Sequence, residues 1–196
     1  MGVVTNLLAG IGTVYTAPVG EALPADDDVD SGIIVPGGNW TATGFTQDGC
    51  TVDYTPTFED VIVDQHKAPV DTILTAEAGS VAFTLAESDA AALAAAFGVA
   101  YTTVAAAANQ TGQSNLGVGD STKVKKALLI IGQAPGATGY TRWIYIPKAM
   151  PEAKVSIKLE KKHNGIPQQY KMLTDTGQSA GQRLFQIKDI TAVPTS

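Results

Sequence analysis

Short segments in which apolar and polar side chains alternate recur along the chain, and they constrain its fold more than any other feature. Residues 81–85 (VAFTL) and 155–160 (VSIKLE) show the pattern most clearly. An alternation of period two is typical of a β-strand with one buried face. The 20 Gly and 10 Pro among 196 residues supply enough turns to separate many such strands. The sequence therefore predicts one mainly β domain over residues 1–196, built as a sandwich or barrel.

The alternation and the turn residues together place the individual strands. Two hairpins are expected, one around the turn Gln47-Asp48-Gly49 and one around residues 133–139. Residues 155–160 are expected to form a half-buried strand with one charged face. In chain order, the predicted strands are residues 13–17, 39–46, 50–55, 81–85, 125–132, 140–147, 155–160, 168–173 and 183–190.

A single short helix is predicted over residues 88–97, where the composition changes to helix formers. Ser88 is the expected N-cap and Gly98 the expected C-terminal stop. Residues 105–120, rich in Ala, Gly, Asn, Gln and Ser, are expected to form a flexible loop. The uncharged stretch 90–108 is long enough to cross a bilayer, but it is mostly Ala and too weakly apolar, so no membrane span is expected. Residues 1–11 lack the basic side chains of a secretory signal, which favours the cytoplasm.

Charge is divided unevenly along the chain. Residues 1–122 hold 15 acidic side chains and one basic one, Lys67, whereas residues 123–196 hold 12 basic and 4 acidic ones. The total charge of -6 lacks the basic character of a protein that grips nucleic acid. A division of this kind suits head-to-tail self-association between an acidic and a basic surface. The alternative is that the two halves interleave and cancel locally.

The chain offers little for catalysis or metal binding. Cys50 is the single cysteine, so the chain cannot close a disulfide, and with His66 and His163 it cannot complete a zinc site. Residues 117–123 lack the terminal Gly-Lys-Ser/Thr of a phosphate loop. The acidic run at residues 26–30 could collect calcium, but it lacks the Gly and distal Glu of an EF-hand, and an exposed turn explains it. We therefore expect no catalytic residue, no cofactor and no metal.

Several segments of the chain carry a family resemblance: TVYTAPVG, NWTATGFTQDG, the stretch from TVDYTPTFED to AALAAAFG, KKALLIIGQAPG and RWIYIPKAMPEAKVSIKLEKK. They resemble the tail tube, or major tail, proteins of long-tailed bacteriophages. The resemblance is clearest over residues 10–98 and is looser in the later segments. The acidic residues 25–31 and the Ala-rich residues 105–119 depart from the family pattern.

This resemblance implies a structural virion protein. Its expected form is a β-sandwich subunit with one flanking helix, assembled in the host bacterial cytoplasm into hexameric rings that stack into a hollow tube for genome ejection. The implied partners are other copies of the chain, a tape measure protein in the lumen, tail terminator and tail tip proteins, and double-stranded DNA that passes without specific binding. Acidic groups are expected to line the lumen and basic groups to lie between subunits, because basic side chains would hold DNA phosphates.

The resemblance also implies where neighbouring subunits meet. Residues 1–12 would form an N-terminal arm, residues 55–71 an extended loop reaching a neighbour, and residues 191–196 a C-terminal tail. The loop residues expected at this interface are Phe58, Val61, Ile62, Val63, Asp64, His66 and Pro69. Three alternatives remain: an ordinary edge strand at this segment, a monomeric β-sandwich binding or adhesion module, and a sandwich-type enzyme.

Overall fold

A computed structural model describes residues 12–24, 29–30, 33–34, 37–120, 122–134, 140–152, 154–157 and 165–190. For residues 29–30 and 33–34 it describes the backbone alone. The predicted C-terminal tail, residues 1–11 of the predicted N-terminal arm, residues 26–28 of the acidic run and His163 lie outside the described residues.

Strands dominate the described part of the chain, with one short helix, so the prediction of a mainly β fold is confirmed. The elements are β1 (Thr13–Pro18), β2 (Val29–Asp30), β3 (Ile33–Ile34), β4 (Thr41–Ala42), β5 (Thr46–Val61), β6 (Asp71–Leu85), α1 (Ala90–Phe97), β7 (Tyr101–Val104), β8 (Gln113–Leu116), β9 (Lys126–Gln133), β10 (Thr141–Pro151), β11 (Ile166–Met172) and β12 (Gln186–Asp189).

One antiparallel sheet organises the fold, in the order β4-β1-β9-β10-β11-β6-β5, with β12 paired to β10. β2 pairs with β3 and β7 pairs with β8 in two small separate hairpins. The predicted hairpin of residues 125–132 and 140–147 is present as β9 and β10. Both faces of β9 are buried: Leu128 and Ile130 face one core, whereas Leu129 and Ile131 face the other. Apolar packing on both faces of the sheet makes the fold sandwich-like.

The first core lies between the sheet and α1. Phe83 of β6 and Tyr170 of β11 stack there with ring centroids 6.1 Å apart. The buried Gln168 amide donates a hydrogen bond of 3.2 Å to the carbonyl oxygen of Ala92, which ties β11 to the helix. A buried amide is tolerated because its polar atoms are paired.

The second core lies on the opposite face of β9 and β10. Trp143 is fully buried at its centre, and Trp40 packs edge-on against Tyr145 with ring centroids 6.1 Å apart. The polar ends of the last two rings are satisfied: Trp40 Nε1 donates to the carbonyl of Ala22 (3.0 Å) and the Tyr145 hydroxyl to that of Glu21 (2.8 Å). These bonds hold the segment that follows β1 over the sheet.

The predicted hairpin of residues 39–46 and 50–55 is wrong, because Gln47-Asp48-Gly49 lies inside the single strand β5. Asp48 and Gly49 have φ angles of 64° and 79°, and the register with β6 shifts between Gln47 and Cys50. The left-handed residues therefore form a bulge that bends the strand without reversing it. Cys50 pairs with Phe83 of β6 instead.

The predicted strand over residues 155–160 is also wrong over the residues that the structure describes, 155–157. Val155 packs against the first core, whereas Ile157 is 59% exposed. The end of β10 is already flanked by β9 and β11, through the pairs Ala149↔Lys126 and Ala149↔Met172. Within the described chain, both edges of β10 are therefore already paired at this point, so the alternating segment has no edge to join there.

β8 lies within residues 105–120, so at least these four residues form a paired strand and not a flexible loop. The predicted helix is present but begins at Ala90, two residues later than expected. Its N-cap is Asp89, whose carboxylate accepts a hydrogen bond of 2.7 Å from the Ala92 amide, and Gly98 ends it in the left-handed conformation with φ 66°. Among the described residues, no helix is both long enough and apolar enough to cross a bilayer.

We expect Asp89→Ala to lower the free energy of unfolding by about 1 kcal/mol, because it removes the side chain that caps α1. Ser88→Ala is the matched control and should change it by less than about 0.5 kcal/mol, since Ser88 makes no capping bond. Urea unfolding followed by circular dichroism measures both. Equal losses for the two variants would contradict the assignment of Asp89 as the cap.

Candidate functional site

β5 and β6 continue past the rest of the sheet as a two-stranded hairpin. β11 pairs with β6 only from Ser80 to Leu85, so the distal part of β6 has β5 as its one strand partner in the described chain. Every residue from 71 to 78 is exposed, whereas buried and half-buried residues alternate from 79 to 85. We call residues 54–78 the arm. At about 3.4 Å per residue its strands reach roughly 25 Å beyond the sheet.

The apolar side of the arm continues the face of the sheet that lies against the first core. Directly opposed residues of an antiparallel pair share one face, and Val52↔Val81 at the root of the arm faces that core. Phe58 lies on the same face of β5, since it is separated from Val52 by an even number of residues. Beyond Glu77, which also lies on this face, the first core is therefore followed by an exposed apolar strip that begins at Phe58.

A bulge in β6 completes this strip. Thr57 pairs with Ala76 and Phe58 pairs with Leu74, so Thr75 is the additional residue in β6. Its hydroxyl donates a hydrogen bond of 3.2 Å to the carbonyl oxygen of Thr57. One additional residue reverses the side on which the following side chains lie. Leu74, instead of Thr75, therefore pairs with Phe58, and Ile73 lies on the other face.

Large apolar side chains are exposed along the arm and at its tip. Phe58 is 59% exposed, Leu74 is 45% exposed and Ile62 is 72% exposed. Val70 and Ile73 are at least half exposed as well. Large apolar side chains exposed on a projecting element are typical of an interaction site.

The structure brings the seven residues predicted at the interface onto the distal half of this arm. Phe58 and Val61 lie in β5, and the other five lie in the connection between the strands: Ile62, Val63, Asp64, His66 and Pro69. Residues 55–61 of the predicted loop 55–71 are therefore strand, because they pair with β6, and β5 is an edge strand as the alternative had it. The contact of these residues with a neighbouring subunit stays a prediction.

Sequence reasoning missed Leu74, Ile73 and Val70. It began the strand at Val81, whereas β6 begins at Asp71. The run of β-branched and apolar residues 72–75 (TILT) carried the signal for this extension.

The root of the arm is held by specific contacts. The Tyr54 ring packs edge-on against Phe185, with centroids 5.8 Å apart. The Tyr54 hydroxyl donates a hydrogen bond of 2.6 Å to a carboxylate oxygen of Glu77, and this bond raises the pKa of the tyrosine. A Cβ at Gly79 would lie 2.5 Å from the Met172 sulfur, so glycine allows β6 to pass close to β11.

The arm is acidic. It carries five carboxylates, and Lys67 is its single basic residue. None of the five forms an ion pair with another described residue. The ion pair found in the described chain joins Arg142 and Asp189 at 2.6 Å. The carboxylates belong to Glu59, Asp60, Asp64, Asp71 and Glu77.

Neither a metal site nor a reactive cysteine is found among the described residues. Within the described parts of the chain, no three His, Cys, Asp or Glu side chains lie close enough to hold a metal ion. Burial raises the pKa of the Cys50 thiol to about 12. Because the thiolate is the reactive form, this cysteine is a poor nucleophile at neutral pH.

A family model described as phage tail tube protein matches residues 4–185 of the chain. The matched span contains the arm and the strands from β1 to β11. A search of curated proteins finds no match.

Proposed function

The chain belongs to the phage tail tube protein family, and we propose that its copies form hexameric rings that stack into the hollow conduit for genome ejection. The family assigns the chain a structural role in the tail, self-assembly and a place in the virion. The observation that carries the finer proposal is the arm, which exposes Phe58, Ile62 and Leu74 together. Such a surface suits burial against another subunit.

Ring formation is supported by the two unlike edges of the sheet. β5 is 16 residues long and has no strand on its outer side in the described chain, while the short β4 forms the other edge. A long unpaired edge readily pairs with another chain. Pairing between two different edges is a head-to-tail contact, and such contacts close into a ring when the rotation permits.

The face of β5, β6 and β11 that lies opposite α1 is the one best suited to line the lumen. Gln168 points to the helix, so Gln169 and Lys171 lie on the other face. Cross-strand pairing arranges the side chains of that face in three short rows. These are Gln47–Thr84–Pro167, Thr51–Ala82–Gln169 and Asp53–Ser80–Lys171.

These rows suit the passage of DNA because they are short, mostly polar and nearly neutral. Asp53 and Lys171 are their two charged residues and have opposite signs. A surface that neutralises few phosphates binds DNA weakly. This face would therefore bind DNA weakly, whereas the acidic lumen expected from the sequence would repel it strongly.

The remaining partners follow from the tube. A tape measure protein would occupy the lumen during assembly in the host cytoplasm, and terminator and tip proteins would close the two ends. DNA would pass without specific binding.

Negative-stain electron microscopy of the purified chain, across concentration and salt and beside sedimentation velocity, tests the proposal. We expect sixfold rings or hollow fibres whose sedimentation coefficient grows with concentration. A monomer that persists after tail tip components are added would overturn the proposal and favour the binding module. A tube reconstruction with the Lys171 face on the outside would overturn the assignment of the lumen.

A further inference from the structure

An open groove of about 900 Å³ lies beside α1, where β1, β4 and the start of β9 approach the helix. Its apolar lining includes Val19, Trp40, Leu85, Ala95 and Val124. Both Val19 and Val124 are 40% exposed, so the groove presents apolar surface to solvent. Two lysines, Lys125 and Lys126, also line it.

Lys126 is placed unusually for a cation. It precedes Leu128 and Ile130 on the same face of β9, so it ends a row of side chains that point into the first core. Burial lowers the pKa of Lys126, because its ammonium group loses water. No described carboxylate lies within ion-pair distance of it. A cation in this position favours an incoming anion.

The carboxylates that line the groove form no ion pair with Lys125 or Lys126. Asp89 is engaged as the cap of α1, and Glu87 lies beyond ion-pair distance of both lysines. Lys123 adds a third positive charge close by and donates to the carbonyl oxygen of Phe97 at the end of α1. The start of β9 is therefore a basic surface next to an apolar groove.

The arm and the groove lie at opposite ends of one strand. β6 begins in the arm at Asp71 and ends at Leu85, which lines the groove. Fourteen steps of strand at about 3.4 Å each place the tip of the arm at Asp71 roughly 45 Å from Leu85. An arm cannot fold back onto the groove of its own subunit across this distance, but copies stacked along β6 would bring an arm to each groove.

We propose that the groove binds the arm of a second copy of this chain, with Lys125 and Lys126 pairing with the carboxylates of the arm. The arm supplies exposed Phe58, Leu74 and Ile62 for the apolar lining, together with acidic side chains that form no ion pair within the described chain. This inference rests on the proposed stacking of subunits and names the surface that receives the arm.

Disulfide trapping between two single-cysteine chains tests this docking. In a Cys50→Ser background, Ile62→Cys protein is mixed with Val124→Cys protein or with Val19→Cys protein. The matched control partner is Ile187→Cys, since Ile187 is 53% exposed on β12 and outside the groove. After mild oxidation, non-reducing gels and peptide mass spectrometry identify the linked pair, and electron microscopy records assembly in the same sample.

We expect covalent dimers that join position 62 to position 124 or 19, and none that join it to position 187. Tubes that contain no link between position 62 and the groove would overturn the docking and leave the proposed function standing. Absence of both tubes and links would overturn the two together.

Reversing the charges of the two groove lysines provides the second measurement. Lys125→Glu with Lys126→Glu should raise the concentration needed for assembly at least about tenfold, because like charges would then face each other. Asp60→Lys with Asp64→Lys in the arm should restore assembly when combined with that change. Lys148→Glu with Arg183→Glu is the matched control, since neither residue lines the groove or the proposed lumen, and it should leave the threshold within about twofold. An unchanged threshold for the groove variant, or failure of the arm variant to restore it, would overturn the proposed pairing.

Discussion

Replacing Phe58 and Leu74 together by Asp is expected to abolish tube assembly and leave the subunit folded. Both side chains are exposed in the subunit, so their loss should change its free energy of unfolding by less than about 0.5 kcal/mol each. In an assembled tube each would contribute about 1.5 kcal/mol or more by burial. Losing both should raise the threshold concentration for assembly at least about a hundredfold, before the cost of burying two carboxylates.

Sedimentation velocity and electron microscopy measure the assembly, and a urea titration of the same sample measures the folding. Ile187→Asp is the matched control, because Ile187 is similarly exposed but lies on β12, away from the arm and the groove. Tubes formed by the Phe58 and Leu74 variant at wild-type concentration would contradict the role of the arm. An equal loss in the control would show a general effect of surface charge.

The sequence predicted the buried strands well, because burial on one or both faces leaves a pattern in neighbouring residues. The hairpin of β9 and β10 and the capped helix α1 follow from such local signals. The error at residues 155–160 has a different origin. Alternation describes which side chains can be buried, but it does not show whether a sheet edge is free to accept the strand.

The arm could not be recognised as a hairpin for a physical reason. Neither of its faces is buried in the subunit over residues 71–78, so burial imposed no alternation there. The bulge at Thr75 shifts the pattern further by reversing the sides of Ile73 and Leu74. The interface residues were therefore suggested by the family resemblance, and Leu74, whose position depends on the bulge, was missed.

The fold places acidic side chains from the first part of the sequence and basic side chains from the second part on different surfaces. The arm draws its carboxylates from the acidic first part of the chain, and the groove draws Lys125 and Lys126 from the basic second part. Because β6 separates them, the carboxylates of the arm and these two lysines do not neutralise each other within one subunit. They are instead available for contacts between copies, as head-to-tail association requires.

Trp143→Ala is expected to lower the free energy of unfolding by about 3–5 kcal/mol, since it empties the centre of the second core. The Trp143 ring is fully buried, its Nε1 donates a hydrogen bond of 3.0 Å to the Thr141 hydroxyl, and the Lys188 ammonium lies 5.1 Å from its centroid. Trp143→Phe keeps an aromatic ring there and should cost less than half as much. Urea unfolding of the dissociated subunit measures both variants.

This variant also separates folding from assembly. A loss of about 3–5 kcal/mol is a large share of the stability of a typical domain, so fewer subunits would be folded and tubes would be scarce. Sucrose or another osmolyte that restores the folded population should restore tube assembly of Trp143→Ala, because its arm and groove are intact. The same osmolyte should not rescue the Phe58 and Leu74 variant, whose subunits are already folded. Rescue of both variants, or of neither, would contradict the separation of a stabilising core from an assembling arm.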